Sequence, residues 1–323
     1  MAVSPTPGQQ EYVHDHATQR SVNDSSVSMQ HGHFWRVHWI WTLPLLTALV
    51  GLVGNSIVLW LLSFRIRRNL FSIYILNLAG ADALFLCSSF LVSICEFVRY
   101  LCHSFMYRLL QYITYTFYTV SLSFLAAIST ERCLSVLFPI WHRCHRPKRT
   151  SVAVCAVLWA LGGLLEVAYI VICYDDYPGH MKRMCRDYLI TEFVWFLLLT
   201  CVLCMSSLTL LLRVQCSSQR RQPPRLYLLI LLAVLVFLLC GLPMEIGEFL
   251  SYFNTVFMPQ WLGRLLACLN SSANPFIYFF LGKQMHKKKE PLKVILQRAL
   301  GDERNFGSGA RDTLYTNSLE TSF

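Results

Sequence analysis

Seven apolar runs, each long enough to satisfy the roughly 20 residues a helix needs to cross hydrocarbon, can be placed at 40–63, 70–95, 106–134, 150–173, 188–213, 226–251 and 260–281 of this chain. Inside a bilayer the backbone N–H and C=O groups have no water to bond, so continuous runs of this length fold as helices. Composition agrees: 55% of the 323 residues are hydrophobic and 14% are charged, against about a quarter charged in a soluble domain. The expected fold is an all-α membrane protein, a seven-transmembrane helix bundle with a short amphipathic helix after the seventh span. Thr114, Thr116, Thr119, Ser121, Ser123, Ser129 and Thr130 dilute the third run, which hydropathy alone reads poorly. Hydroxyls of this kind suit a helix at the centre of a bundle, bonding across to its neighbours.

Seven crossings put the termini on opposite sides, and the cationic loops say which is which, because short loops rich in Lys and Arg stay cytoplasmic. Arg65, Arg67 and Arg68 follow the first run, Arg143, Arg146, Lys148 and Arg149 the third, Arg213, Arg220, Arg221 and Arg225 the fifth, and Lys283, Lys287, Lys288 and Lys289 the seventh. The N-terminus is therefore expected outside a multi-pass protein of the plasma membrane. The net charge of +10 reads as a topology signal and a complement to anionic inner-leaflet lipids, which weighs against nucleic acid as a partner.

Four regions follow. Residues 1–38 form a polar outer tail without the pattern of a cleaved signal peptide, so the first span serves as its own anchor. This tail carries the sequon Asn23-Asp24-Ser25, whereas Asn270-Ser271-Ser272 falls inside the seventh run and is not a glycosylation site. Residues 39–281 are the bundle. In 282–300, Met285, Leu292, Val294, Ile295 and Leu300 alternate with lysines, which fits a helix lying on the inner leaflet; no cysteine follows Cys268, so this segment has no palmitoyl anchor. Residues 301–323 read as a disordered tail with Ser308, Thr313, Thr316, Ser318, Thr321 and Ser322 open to kinases. The terminal Thr321-Ser322-Phe323 also matches what PDZ domains accept, a three-residue signal that chance produces readily. No internal repeat is visible, which argues against a secondary transporter. No metal cluster, nucleophile triad or phosphate loop points to an enzyme.

Ionisable residues inside the runs are costly and point to function by default. Arg132, preceded by Glu131, ends the third run; it reads as a latch that pairs with its neighbour at rest, against the plainer reading of a snorkelling arginine. Asp82 lies deep in the second run. Glu96, Glu166, Glu192, Glu245 and Glu248 lie on the outer halves of the helices and could draw a cation into a low-dielectric funnel, although for each acid singly a solvated or headgroup contact is as good a reading. Met244 and the aromatics read as packing, and Trp35, Trp39, Trp41, Tyr252 and Trp261 as interfacial anchors.

The ordered set Gly54-Asn55 with Val58, Asn77-Leu78-Ala79 with Asp82, Glu131-Arg132-Cys133, Trp159, Pro243 and Asn274-Pro275-Phe276-Ile277-Tyr278 resembles the rhodopsin-like receptors across all seven runs. Within them, Leu134 to Trp141, Arg143-Cys144-His145-Arg146-Pro147, Cys240-Gly241-Leu242-Pro243 and Ser271 to Pro275 resemble the Mas-related receptors. The resemblance implies a non-enzymatic receptor that binds an extracellular peptide or small cationic agonist and activates heterotrimeric G proteins, Gq first and Gi second, with arrestin and receptor kinases as further partners. A rival reading is an orphan or constitutively signalling partner that modulates other receptors. The switch residues implied are Glu131, Arg132, Pro243, Gly241, Asn274, Pro275 and Tyr278. Around Asp82 the resemblance places Asn55, Ser121, Asn270 and Asn274, oxygen ligands for an allosteric Na+ ion.

Three departures from the wider pattern stand out. Gly241 occupies the place of a tryptophan that relatives carry two residues before the sixth-helix proline, and with Pro243 it suggests a flexible kink. Tyr107 stands where rhodopsin-like receptors carry the third-helix cysteine; Mas-related receptors instead link the fourth and fifth helices, which implies Cys173 with Cys185, Cys102 being a competitor for either. Thr114 replaces the aspartate of amine receptors. The positions of a glutamate and an aspartate that hold cationic peptides in some relatives read Tyr169 and Leu189, with Glu166 and Asp187 as nearby substitutes.

Overall fold

The computed structural model describes residues 42–65, 70–97, 104–147, 149–173, 179–216 and 225–283, with Ile40, Leu292 and Leu296. Met1–Leu43 and Pro44–Phe323 separate as two compact units, and every contact below lies within the second. Asn23, Cys102, the segment after Lys283 except Leu292 and Leu296, and the PDZ-like terminus lie outside the described residues.

Among the described residues the structure is helical, without strands. The helices are α1 (Thr42–Arg65), α2 (Leu70–Phe97), α3 (Ser104–Leu137), the short α4 (Pro139–Cys144), α5 (Thr150–Cys173), α6 (Gly179–Cys216), α7 (Arg225–Val236), α8 (Leu242–Tyr252) and α9 (Gln260–Lys283). A π-helical turn, Phe237–Gly241, joins α7 to α8 so that the two make one continuous span. Six spans are long and apolar enough to cross a membrane on composition alone. The hydroxyl-rich α3 is among them; the helix that falls short is α9, where Gln260, Arg264, Asn270, Ser271, Ser272 and Asn274 gather. The weak span is thus α9 and not the expected α3, because hydroxyls cost hydropathy less than amides and a guanidinium do.

Helix α3 packs against α2, α5 and α6 and also meets α4 and α7, the central position its hydroxyls favour. Ser129 bonds Ser206 at 2.7 Å and Ser207 at 2.9 Å, joining α3 to α6. Asn77 and Trp159 join α2 to α5: the indole Nε1 donates to Asn77 Oδ1 at 3.0 Å, and the rings of Phe117 and Phe124 meet Trp159 edge-on. Where α1 meets α9, a Cβ on Gly51 would sit 1.9 Å from Ser272 Oγ, and one on Gly54 would sit 3.2 Å from Pro275 Cβ. Only a residue without a side chain permits the first approach.

The kink before Pro243 has a defined form. Proline has no N–H to close the helical ladder, and the preceding turn widens, so that Leu242 N–H reaches back to the Phe237 carbonyl. Gly241 is buried here because a Cβ would lie 2.6 Å from the Phe237 ring and 2.9 Å from the Tyr118 hydroxyl, which donates to the Gly241 carbonyl at 3.1 Å. Tyr118 and Phe237 thus fill space beside a glycine where relatives carry an indole.

Candidate functional site

Three polar sites are arranged along the bundle. At one end, where α3 runs into α4, the Glu131 carboxylate is ion-paired with Arg146 and bonded to His142 Nε2 at 2.8 Å. Arg146 also donates to Ser151 Oγ at 2.8 Å, fastening the end of α3 to the start of α5. Arg132 is 7% exposed, and its guanidinium carbon stands 3.6 Å from the centre of the Phe71 ring, a cation–π arrangement. The pairing expected between Glu131 and Arg132 is therefore replaced at the carboxylate by Arg146 and His142, because α4 folds both of these back over the acid. Tyr278 is buried in α9 beyond Asn274 and Pro275.

At mid-bundle Asp82 is fully buried. Ser121 Oγ donates to its Oδ1 at 2.5 Å and Asn274 Nδ2 to its Oδ2 at 2.8 Å, so two of the four expected companions touch it directly. Asn55 instead donates to the carbonyls of Gly51 and Ser271, at 3.0 and 3.1 Å. Its Oδ1 is buried without a partner, and the Ser271 hydroxyl lies close to the Asp82 carboxyl. Asn270 is buried on α9.

At the other end a cavity of about 350 Å³ opens between α2, α3, α5, α6, α8 and α9. Of the pocket residues expected from sequence, Thr114, Glu166, Tyr169, Glu192, Glu245 and Glu248 line it. Two do not. Glu96 is ion-paired with Arg264, which it receives through both carboxylate oxygens, and accepts from Tyr107; Asp187 lies exposed against Arg186 at 3.3 Å. Each is engaged by an arginine and neither lines the cavity.

Glu245 defines the depth of the cavity. It is 3% exposed, its Oε2 accepts from the Tyr115 hydroxyl at 2.6 Å, and its Oε1 has no partner. An oxygen of Glu166 is buried and unpartnered in the same way. Among the described residues the one cation on the wall, Arg264, is already bonded to Glu96, so Glu166, Glu192, Glu245 and Glu248 give the cavity an acidic character.

Met244, Tyr112, Tyr115, Phe193 and Phe249 also line the cavity, correcting the reading of Met244 and the aromatics as packing alone. Phe193 and Phe249 stack at 3.9 Å. Arg264 was legible as an ionisable residue inside a span, yet the motif comparison passes over it; Tyr115, next to Thr114, carries no signal of its own.

The roof of this end carries the disulfide Cys173–Cys185, tying the last residue of α5 to the first turns of α6. Cys95 is disulfide-bonded as well.

Apolar spans thus surround a polar axis with a cavity at one end and a charged cluster at the other. Residues 54–278 match the 7 transmembrane receptor (rhodopsin family) pattern. The chain is 46% identical to "Mas-related G-protein coupled receptor member X2" of Macaca mulatta over 80% of this chain and 82% of that protein. It is 45% identical to member X1 of Homo sapiens over 83% of this chain and 84% of the relative, and 46% identical to member X2 of Homo sapiens over 80% and 82%. The chain belongs to the Mas-related G-protein coupled receptors: it is a multi-pass membrane receptor, not an enzyme, whose partners are a G protein and an extracellular ligand.

Proposed function

We propose that this receptor sits in the plasma membrane with its N-terminus outside and is activated by a cationic agonist, a small molecule or the basic end of a peptide, entering the acidic cavity. The observation that carries this reading is Glu245, a carboxylate 3% exposed with one oxygen unpartnered at a ligand-sized cavity. A buried anion without a counter-charge is costly, and a ligand cation that pairs with it repays that cost on binding. Glu166, Glu192 and Glu248 extend the attraction across α5, α6 and α8. Charge-removing substitutions at Glu245 should reduce the potency of a cationic agonist far more than that of a neutral one; equal reductions would assign Glu245 to folding.

The signal leaves at the Arg132 end, toward Gq first and Gi second. Arg132 is released from Phe71 toward Tyr278 and the G protein when the helices part, and Pro243, Gly241, Asn274 and Pro275 are the places where the helices bend. Loss of nucleotide exchange in Arg132→Ala at matched surface expression tests this role. Receptor kinases and arrestin act on the 301–323 tail, the 282–300 segment lies on inner-leaflet lipid, Asn23 is glycosylated, and a PDZ domain could take Phe323 only if the terminal carboxylate is accessible.

At Asp82 the oxygens of Ser121, Asn55, Asn270 and Asn274, with the nearby Ser271 hydroxyl, suit a hard cation. They would hold Na+, which would supply the counter-charge to the buried carboxylate. Gly241 in place of an indole keeps the second reading alive, a constitutively signalling partner of other receptors. A ligand screen with a calcium readout, run against the level of basal signalling, separates the two.

A further inference from the structure

We propose that the cavity contains a second cation subsite, an aromatic corner formed by Tyr112 and Tyr169 beside Glu166 and Glu192, which selects an alkylated ammonium over a primary one. This rests on the cationic-agonist reading above and specifies the head group. Tyr112 on α3 and Tyr169 on α5 both line the cavity, with ring centroids 5.1 Å apart and planes inclined at 65°. Two rings at that inclination can both touch a rounded group, whereas a planar guanidinium lies flat on one ring. Behind them Tyr188 packs 6.0 Å from Tyr169, and its hydroxyl donates to the Leu165 carbonyl at 2.6 Å. That bond anchors α6 to the residue before Glu166 and backs the corner.

The charge is supplied next door. Glu166 and Glu192 line the same cavity, and Tyr169 lies in the field of both. One Glu166 oxygen is buried without a partner, as is the Glu245 Oε1 nearby on the cavity wall. A primary ammonium needs three directed acceptors and a large desolvation; an alkylated ammonium donates few or no hydrogen bonds and is held by ring faces and an undirected negative field. The corner offers ring surface. The acids stand behind and beside it.

The probes are benzyltrimethylammonium and benzylammonium, which share a charge and an aromatic body, read by dose-dependent thermal stabilisation of the full-length receptor in nanodiscs. The quaternary probe should reach half-maximal effect at about fivefold lower concentration, the equivalent of about 1 kcal/mol. Tyr169→Leu and Tyr112→Leu, which keep an apolar surface but remove the ring, should each bring the ratio toward one, and Tyr169→Phe should retain it. Glu245→Gln should weaken both probes with the ratio unchanged. If wild type binds the primary amine as well or better, or if the ratio survives both leucine variants, the corner is overturned while the acidic cavity stands. If neither probe stabilises wild type at any concentration, the cationic reading and this inference fall together.

Discussion

Arg146 and Glu131 form an ion pair that joins the end of α3 to the turn between α4 and α5, with the Arg146 side chain 3% exposed and the Glu131 side chain 16% exposed. Arg146 stands two residues beyond Cys144, the last residue of α4, and it takes the carboxylate that the chain places directly before Arg132. The Glu131 carboxylate is thereby held by α4 and the turn that follows it. Arg146→Ala should free Glu131 and raise agonist-independent nucleotide exchange, on the order of fivefold for the lower end of typical coupling energies. Unchanged basal exchange at equal surface density would make the pair a folding contact.

Gly51→Ala should reduce the yield of folded receptor. The new Cβ would sit 1.9 Å from Ser272 Oγ, 2.7 Å from Ser272 Cβ and 2.9 Å from Leu86 Cδ1, so rotating the Ser272 hydroxyl away would still leave two close contacts. Overpacking of this kind costs about 1–3 kcal/mol. Ser272→Gly in the same molecule should restore part of the thermal stability in detergent, because it removes the two nearest of the three close atoms and leaves Leu86 Cδ1 at 2.9 Å.

Sequence pattern carried the fold because hydrophobic length and cationic loops act locally, each run declaring itself without reference to the others. The resemblance to rhodopsin-like receptors reached Ser121 and Asn274 as companions of Asp82, and they do meet it within hydrogen-bond distance. It was weaker at the cavity, where membership depends on which way each acid turns. Glu96 and Glu245 are alike in a hydropathy plot; only the neighbours Arg264 and Tyr107 in one case and Tyr115 in the other distinguish an acid that is already paired from one with an oxygen to spare. The Arg146 contact was hidden for a related reason, since it depends on a loop folding back over α3 and adjacency in the chain favoured Arg132 instead.

Glu96→Gln should destabilise the receptor without abolishing the cavity's acidity. Arg264 would lose its charged partner while the two side chains remain only 12 and 15% exposed, leaving a nearly buried guanidinium facing a neutral amide. Breaking such a pair costs about 3–5 kcal/mol in full burial, and about 2 kcal/mol is expected here after allowance for solvent access. Thermal inactivation of purified receptor measures it. Arg264→Gln combined with Glu96→Gln should recover part of the loss, because the amides can bond each other; a double variant worse than either single one would mean that the pair is not the relevant contact.

Asp82→Asn should abolish any dependence of agonist affinity on sodium concentration. The carboxylate is fully buried, with one oxygen accepting from Ser121 on α3 and the other from Asn274 on α9, so an ion bound there would tie its own occupancy to the spacing of α2, α3 and α9. An agonist that favours a different spacing then competes with the ion, and affinity falls as sodium rises. The amide keeps one acceptor oxygen but removes the charge that offsets desolvation of the cation, so the sodium series should become flat. Replacing sodium by a large organic cation at constant ionic strength separates site binding from screening. A wild-type receptor whose agonist affinity is identical in both salts would reduce Asp82, Ser121 and Asn274 to a hydrogen-bonded tie between three helices.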